Sequence, residues 1–310
     1  MRLVDPVLYL KLATTGKLPS PQRLALAITR LLQSDNYKID DLVRLVQSDP
    51  ALAGELIKFS NAASYGNSRP IVSIPKAVVT LGTKRVGVIV LALSVLHSNR
   101  SGQCLEFNYE RYWSRSLLTA IAAQALSPYA RINDEDNFTA GLLCKIGELA
   151  LASLFPERYG EVIAIPDENI QKRLLFEREI FNTDHVELTA TLLLNWGFPE
   201  AMVTAIYFCE FPDDSEFIQG SRIHGLSLSL QIASELADIG IPKGTCPRTT
   251  LPTLLAHANR LGINYEEFYL IADSIIASWL KWGELLKIQT HEMPSFTDFF
   301  ASSESNNLID

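Results

Sequence analysis

A cysteine and a lysine stand side by side, Cys144-Lys145, in an otherwise apolar stretch, GLLCKIGELALASLF, that runs from Gly141 to Phe155. Leu142, Leu143, Ile146, Leu149, Ala150 and Leu154 recur at three- and four-residue spacing, which predicts one helix buried on most of its circumference. A thiol is able to ligate a metal, and a lysine is able to pair with a carboxylate or phosphate. A lysine stem can also lie along apolar surface with its ammonium reaching water, and the stretch alone leaves both uses open. Other chemistry is hard to find in the chain. His97, His224, His257 and His291 have no partner at a catalytic spacing, and His97 suits a helix C-terminus. There is no G-x-x-x-x-G-K-S/T loop, no G-x-G-x-x-G after a strand and no G-x-S-x-G elbow.

The elements that must position this pair are helical throughout. With 310 residues and 47% hydrophobic content, the chain can bury a large core in one domain or two closely packed ones. Leu24, Ile28 and Leu31 share one face, as do Leu42, Val43 and Val46, and no run alternates as strands do. Asp49 is placed to cap a helix starting at Pro50, with Leu52, Leu56 and Phe59 inward. Gly82 closes a short helix opened at Pro75, and Thr83 is the expected cap of the next one. INDEDNF reads as a polar turn before the central helix. Glu157 to Asn182 predicts one or two short helices. Capping boxes are expected at Asp184/Glu187, with Thr183 as an alternative cap, and at Asn264/Glu267. The fold class is therefore all-α. The tail from 291 is acidic and Ser/Asn-rich and is expected to be flexible, with Phe296, Phe299 and Phe300 able to dock.

A net charge of -8 and a pI near 5.2 argue against a protein built to hold nucleic acid. Lys84-Arg85 is the basic pair to test first, and a solvated helix terminus explains it more simply. Cys104, Cys144, Cys209 and Cys246 form no C-x-x-C pair, which suggests reduced thiols and a cytoplasmic location. The N-terminus lacks the apolar region of a secretory signal. Val86 to Asn99 falls short of the roughly 20 residues of a membrane span, so it is expected to be a core helix.

Taken in order, these segments resemble the HDOD domain, the HD-related output domain of bacterial signalling proteins. The resemblance is carried by Asp49-Pro50 with Leu52 and Leu56, Asn61 with Tyr65-Gly66, Ser73-Ile74 with Ala77, and Leu81-Gly82. It continues through Trp113 and Ser116, Gly141-Leu142-Leu143 with Ile146-Gly147, and His185 with Leu193 and Trp196-Gly197-Phe198-Pro199. It covers an HDOD-like domain, 18–215, which follows an N-terminal segment, 1–17; the helical pattern beyond it reads as a packed C-terminal helical extension, 216–290, and the composition of 291–310 as an acidic flexible tail.

The metal-dependent HD phosphohydrolases carry roughly G-L-L-H-D-I-G-K where this chain has GLLCKIGE, so their His-Asp ligand pair falls at Cys144 and Lys145. Their first histidine falls at Arg115, a further one at His185, which is present, and paired histidines fall near Phe208 and Cys209. The closing aspartate has only Asp238 as a candidate. Most ligands are thus replaced, which implies no catalytic residues, no metal and no cofactor. Arg115, Lys145 and His185 would line a vestigial pocket. There the two cations would pair with Asp184, Glu187 or Glu148, or receive a small anionic ligand. Cys144, His185 and Cys209 are the alternative, a thiol and imidazole set acceptable to zinc. The function implied is a non-catalytic regulatory module in signal transduction, acting on a protein partner and not on membrane or nucleic acid. The competing reading is a divergent phosphohydrolase for a nucleotide or cyclic dinucleotide.

Overall fold

In the computed structural model, residues 1–34, 36–63, 70–164, 170–241 and 250–298 are described. Among them are seventeen α-helices and no strand. The chain divides into two compact units, 18–101 and 1–17 together with 102–310. The division falls inside the stretch expected to be the HDOD-like domain.

Unit 18–101 holds α2 (Arg23–Gln33), α3 (Ile39–Gln47), α4 (Pro50–Ala63), α5 (Ile74–Leu81) and α6 (Thr83–Ser98), while α1 (Pro6–Thr14) belongs to the other unit. Its core is built from the predicted faces, with Ile28, Leu42, Val46 and Leu56 fully buried. The Asp49 carboxylate accepts from Ala51 N and Leu52 N at 3.0 and 3.1 Å, capping α4 ahead of Pro50. Asn61, on the last turn of α4, ties down the chain that follows. Its amide donates to the Ile71 carbonyl at 2.8 Å and accepts from the Ile71 N–H at 2.7 Å, fixing the chain across ten residues. Thr83 does not cap α6. Gly82, at φ 84°, ends α5 and precedes α6 directly, so Thr83 is already helical and its hydroxyl bonds Tyr37 at 2.8 Å. No single described helix is long and apolar enough to cross a membrane. Only α5 and α6 together meet that length and composition, and they are bent by 107°.

The other unit is organised on α7 (Tyr109–Ala125), which is buried nearly throughout from Tyr112 to Ala123. It is followed by α8 (Ser127–Ala130), α9 (Asp134–Leu143), α10 (Ile146–Leu154), α11 (Pro156–Ala164), α12 (Ile170–Phe181), α13 (His185–Asn195) and α14 (Glu200–Tyr207). A short 3-10 turn, Pro212–Asp214, leads to α15 (Arg222–Gly240), α16 (Thr250–Arg260) and α17 (Tyr265–Leu286). The small residues of α7 let α9 lie close. A Cβ at Gly141 would come within 2.8 Å of the Thr119 carbonyl oxygen and 2.9 Å of Ala120 Cα. The predicted polar turn at INDEDNF is mostly helix, because Asn133 caps Glu135 N and Asp136 N and α9 begins at Asp134. The extension is packed as expected. Asn137 donates to Ala123 O at 2.5 Å and accepts from Ser229 at 3.1 Å, tying α7, α9 and α15, and Trp279 Nε1 donates to Ser114 O at 3.1 Å.

Asn264 caps Glu267 N at 2.9 Å, but the Glu267 carboxylate takes the Tyr129 hydroxyl at 2.6 Å. In the tail, Phe296 is buried, its N–H is held by Asp273 at 2.7 Å and its ring stacks on Tyr269. Phe299 and Phe300 lie outside the described residues.

Candidate functional site

The apolar stretch around Cys144-Lys145 is two helices and not one. α9 stops at Leu143, Cys144 keeps helical angles, and Lys145 at φ -116°, ψ 17° starts a new direction for α10. The physical reason is that the two halves have different partners, α9 lying on α7 and α10 on α13. At the second contact Gly147 is pressed on α13. A Cβ there would overlap the His185 carbonyl oxygen, and Gly147 N donates to Thr189 Oγ1 at 2.9 Å. Uniform apolar periodicity hid this break, because both halves are buried and neither has an exposed face to mark the turn.

The break aims Lys145 inward, where it is 4% exposed, and its ammonium pairs with Glu210 just beyond α14. From α7, Arg115 makes a bidentate pair with Asp238 of α15, Nε to Oδ1 at 2.6 Å and Nη2 to Oδ2 at 3.1 Å, and also donates to Ser234 at 2.9 Å. The counter-charges are thus Glu210 and Asp238. Asp184 and Glu187 belong elsewhere, paired with Arg178 at 2.6 and 3.2 Å, Glu187 also with Arg2 at 3.2 Å. Burial pushes the Arg115 guanidinium down, but the Asp238 charge outweighs it and the cation is held more firmly than usual. Burial pushes the Asp238 carboxyl up, and Arg115 overcomes it to hold the group below its ordinary range.

His185 opens α13 and is fully buried. Asp184 is its cap, accepting from Glu187 N at 2.7 Å, while Thr183 bonds the Glu187 side chain instead. One carboxylate oxygen of Glu177, on α12, accepts from both His185 N at 2.9 Å and Nδ1 at 2.7 Å. The other oxygen of Glu177 takes Arg173 Nε at 3.0 Å, and Arg173 also reaches Tyr159 at 2.5 Å and Glu148 at 3.5 Å. His185 Nε2 faces Glu148 Oε1 at 4.0 Å and makes no hydrogen bond. Burial pushes the Glu148 carboxyl up, yet Arg173, His185, Lys145 and Arg115 together hold it well below the usual carboxylate range. Glu177 is lowered in the same way, chiefly by His185 against the penalty of burial.

Sequence reasoning missed Glu177 and Arg173 altogether. A signal existed: Leu174, Glu177 and Phe181 occupy one buried face of α12, so a carboxylate sits in an apolar stripe and needs a buried donor. Glu210 had no such mark, since it follows the helix and precedes an acid-rich loop.

Cys144 and Cys209 are both buried and free, and the Cys144 thiol donates to the Gly141 carbonyl at 3.2 Å. His185 does not join them as a third ligand, its ring contacts being Glu177 and Glu148. Among the described residues no three His, Cys, Asp or Glu side chains converge as a metal set. Of the positions that the resemblance assigns to metal ligands, Arg115 and Lys145 carry ion-paired cations, while His185 has Nδ1 on the Glu177 carboxylate and Nε2 without a hydrogen-bond partner.

A model of the HDOD domain matches residues 18–212. The chain belongs to the HDOD domain family. Among solved structures this HDOD chain is similar to the MmoQ response regulator of Methylococcus capsulatus str. Bath, at 34% identity over 83% of this chain and 98% of that one, with a TM-score of 0.50. It has the fold of an HDOD domain protein of Geobacter sulfurreducens, at 22% identity over 91% and 97% of the two chains, with a TM-score of 0.67. A protein of Treponema pallidum (strain Nichols) is 29% identical over 196 residues, 61% of this chain and 36% of that protein. The match therefore spans little more than a third of that relative's length.

Proposed function

We propose that this HDOD chain is a non-catalytic regulatory module of signal transduction that presents its helical surface to a protein partner. The observation that carries the reading is the buried Lys145–Glu210 pair at the position where metal-dependent relatives of the fold carry a ligand. A protonated amine offers no lone pair to a metal and repels one, and its own carboxylate partner removes the incentive to exchange. Family membership and the likeness to a response regulator support a regulatory role. Both cations of the inherited pocket already have carboxylate partners, which favours a structural ion-pair cluster over capture of a small anion.

Elemental analysis of the purified chain, combined with assays on nucleotides and cyclic dinucleotides in Mn, Fe or Zn, tests the reading. Expected are no stoichiometric metal and no phosphodiester turnover. One metal per chain with turnover lost in His185→Ala would establish the competing phosphohydrolase. For the ligand, a nucleotide thermal-shift screen is expected to show no shift that depends on Lys145. For the partner, capture from the native cell is expected to return one stoichiometric protein that resists nuclease treatment.

A further inference from the structure

We infer that the groove between α12 and the segment after α14 is a binding site for a small amphipathic organic cation, an aromatic or aliphatic body ending in an ammonium group. This goes beyond the regulatory reading and does not depend on it. Gln171, Leu174, Leu175 and Arg178 recur at i, i+3, i+4 and i+7, so α12 turns one face to the groove. Val186 of α13 and the side chains of Tyr207, Phe208 and Phe211 supply the rest of the walls, and the space between them is about 370 Å³. That volume lies in the range of small-molecule sites.

The apolar lining is left partly open to solvent. Leu174 is buried, but Leu175 beside it is 63% exposed. The aromatic wall is already in place, because Phe208 is held edge to face by Tyr207, with ring centres 5.0 Å apart, and by Phe217, at 5.5 Å. A ligand that covers Leu175 and these rings therefore gains apolar burial without reordering the wall.

The charges around the groove choose the sign of the ligand. Arg178 is the cation of the lining, and it is committed, through Nη2 to Asp184 and through Nε to Glu187. An anion would have to displace one of these buried carboxylates, which costs more than a new surface pair returns. Glu210 is held by Lys145. Asp214 is different: it lines the groove, is exposed, and has no side-chain partner among the described residues, while Asp213 next to it is taken by Arg260. The unmatched charge of the lining is thus negative and stands with three aromatic side chains. Both the carboxylate and the ring quadrupoles attract a cation, and both disfavour an anion.

The test is a ligand-observed NMR titration of the folded full-length chain with three near-isosteric probes, 4-phenylbutylammonium, 4-phenylbutanol and 4-phenylbutanoate. The cation is expected to bind roughly tenfold tighter than the alcohol, with the carboxylate weakest. Asp214→Asn should weaken the cation about threefold and leave the alcohol unchanged, whereas Glu266→Gln, which removes an exposed carboxylate from α17, should change neither. Leu175→Arg puts a bulky cation into the groove from an exposed position and should abolish binding of the cationic probe. All three substitutions are at exposed positions, and an unchanged thermal midpoint verifies the fold of each. Equal affinity for the three probes, no binding of the cation up to about 10 mM, or a cation affinity that Leu175→Arg leaves intact overturns the proposal. So does capture of a partner protein that is lost in Leu175→Arg while no probe binds, a result that assigns the groove to that partner and leaves the regulatory reading standing.

Discussion

His185 and Lys145 occupy neighbouring places in one buried cluster, yet they are held in opposite ways. By the resemblance, His185 falls where the metal-dependent HD phosphohydrolases carry a histidine ligand. Here its backbone N–H and Nδ1 both go to Glu177, so it anchors the start of α13 to α12. By the same resemblance, Lys145 falls where they carry an aspartate. It sits at a break between helices and is neutralised by Glu210 from a third element. A histidine at such a position therefore has a structural use of its own. A ligand that also holds a helix start has a structural reason to stay, whereas one that only faces the metal is free to be replaced by any group whose charge is met.

The contrast can be pressed from both sides by substitution. Glu177→Ala removes the shared acceptor of His185 N, His185 Nδ1 and Arg173, leaving three buried donors, and is expected to cost about 4 kcal/mol in urea unfolding. Lys145→Ala strands Glu210, which is partly exposed, and should cost about 3 kcal/mol. Arg115→Ala should cost less, about 2 kcal/mol, because the Asp238 carboxylate left behind is half exposed and can be solvated. Acid should give the smallest effect. Glu148 and Glu177 have folded values below their unfolded ones, so their stabilisation is complete above the ordinary carboxylate range, begins to be lost as pH enters it and goes on being lost down to the folded values. About 1 kcal/mol should be gone by pH 4, read as a lower urea midpoint than at pH 7. Glu187 acts with the opposite sign. Burial and Asp184 raise its carboxyl, so its contribution falls as pH rises, and it blunts the acid effect without reversing it.

Much of the fold was legible because caps and turns are local. Asp49 with Pro50, Asp184 with Glu187 N, and Asn264 with Glu267 N are each decided within four residues. The α9–α10 break was not, since it is imposed by packing of Gly147 on a helix some forty residues later. Thr83 misled for a related reason: the left-handed Gly82 lets two helices abut, leaving no extended residue for a side-chain cap. Of the candidate site, the positions that the resemblance singles out could be read from the chain, but their counter-charges could not. Asp238, Glu210 and Glu177 come from elements whose pairing with α7, α10 and α13 no local pattern encodes.

The most direct test is a double-mutant cycle on Lys145 and Glu210, with metal content measured on each variant. If a buried ion pair has taken the place of the metal, Lys145→Met and Glu210→Gln should each destabilise the chain. The double variant should recover a coupling energy of about 1 kcal/mol or more, with no metal bound in any of the four proteins. Additive effects, together with stoichiometric metal in the wild type, would contradict it.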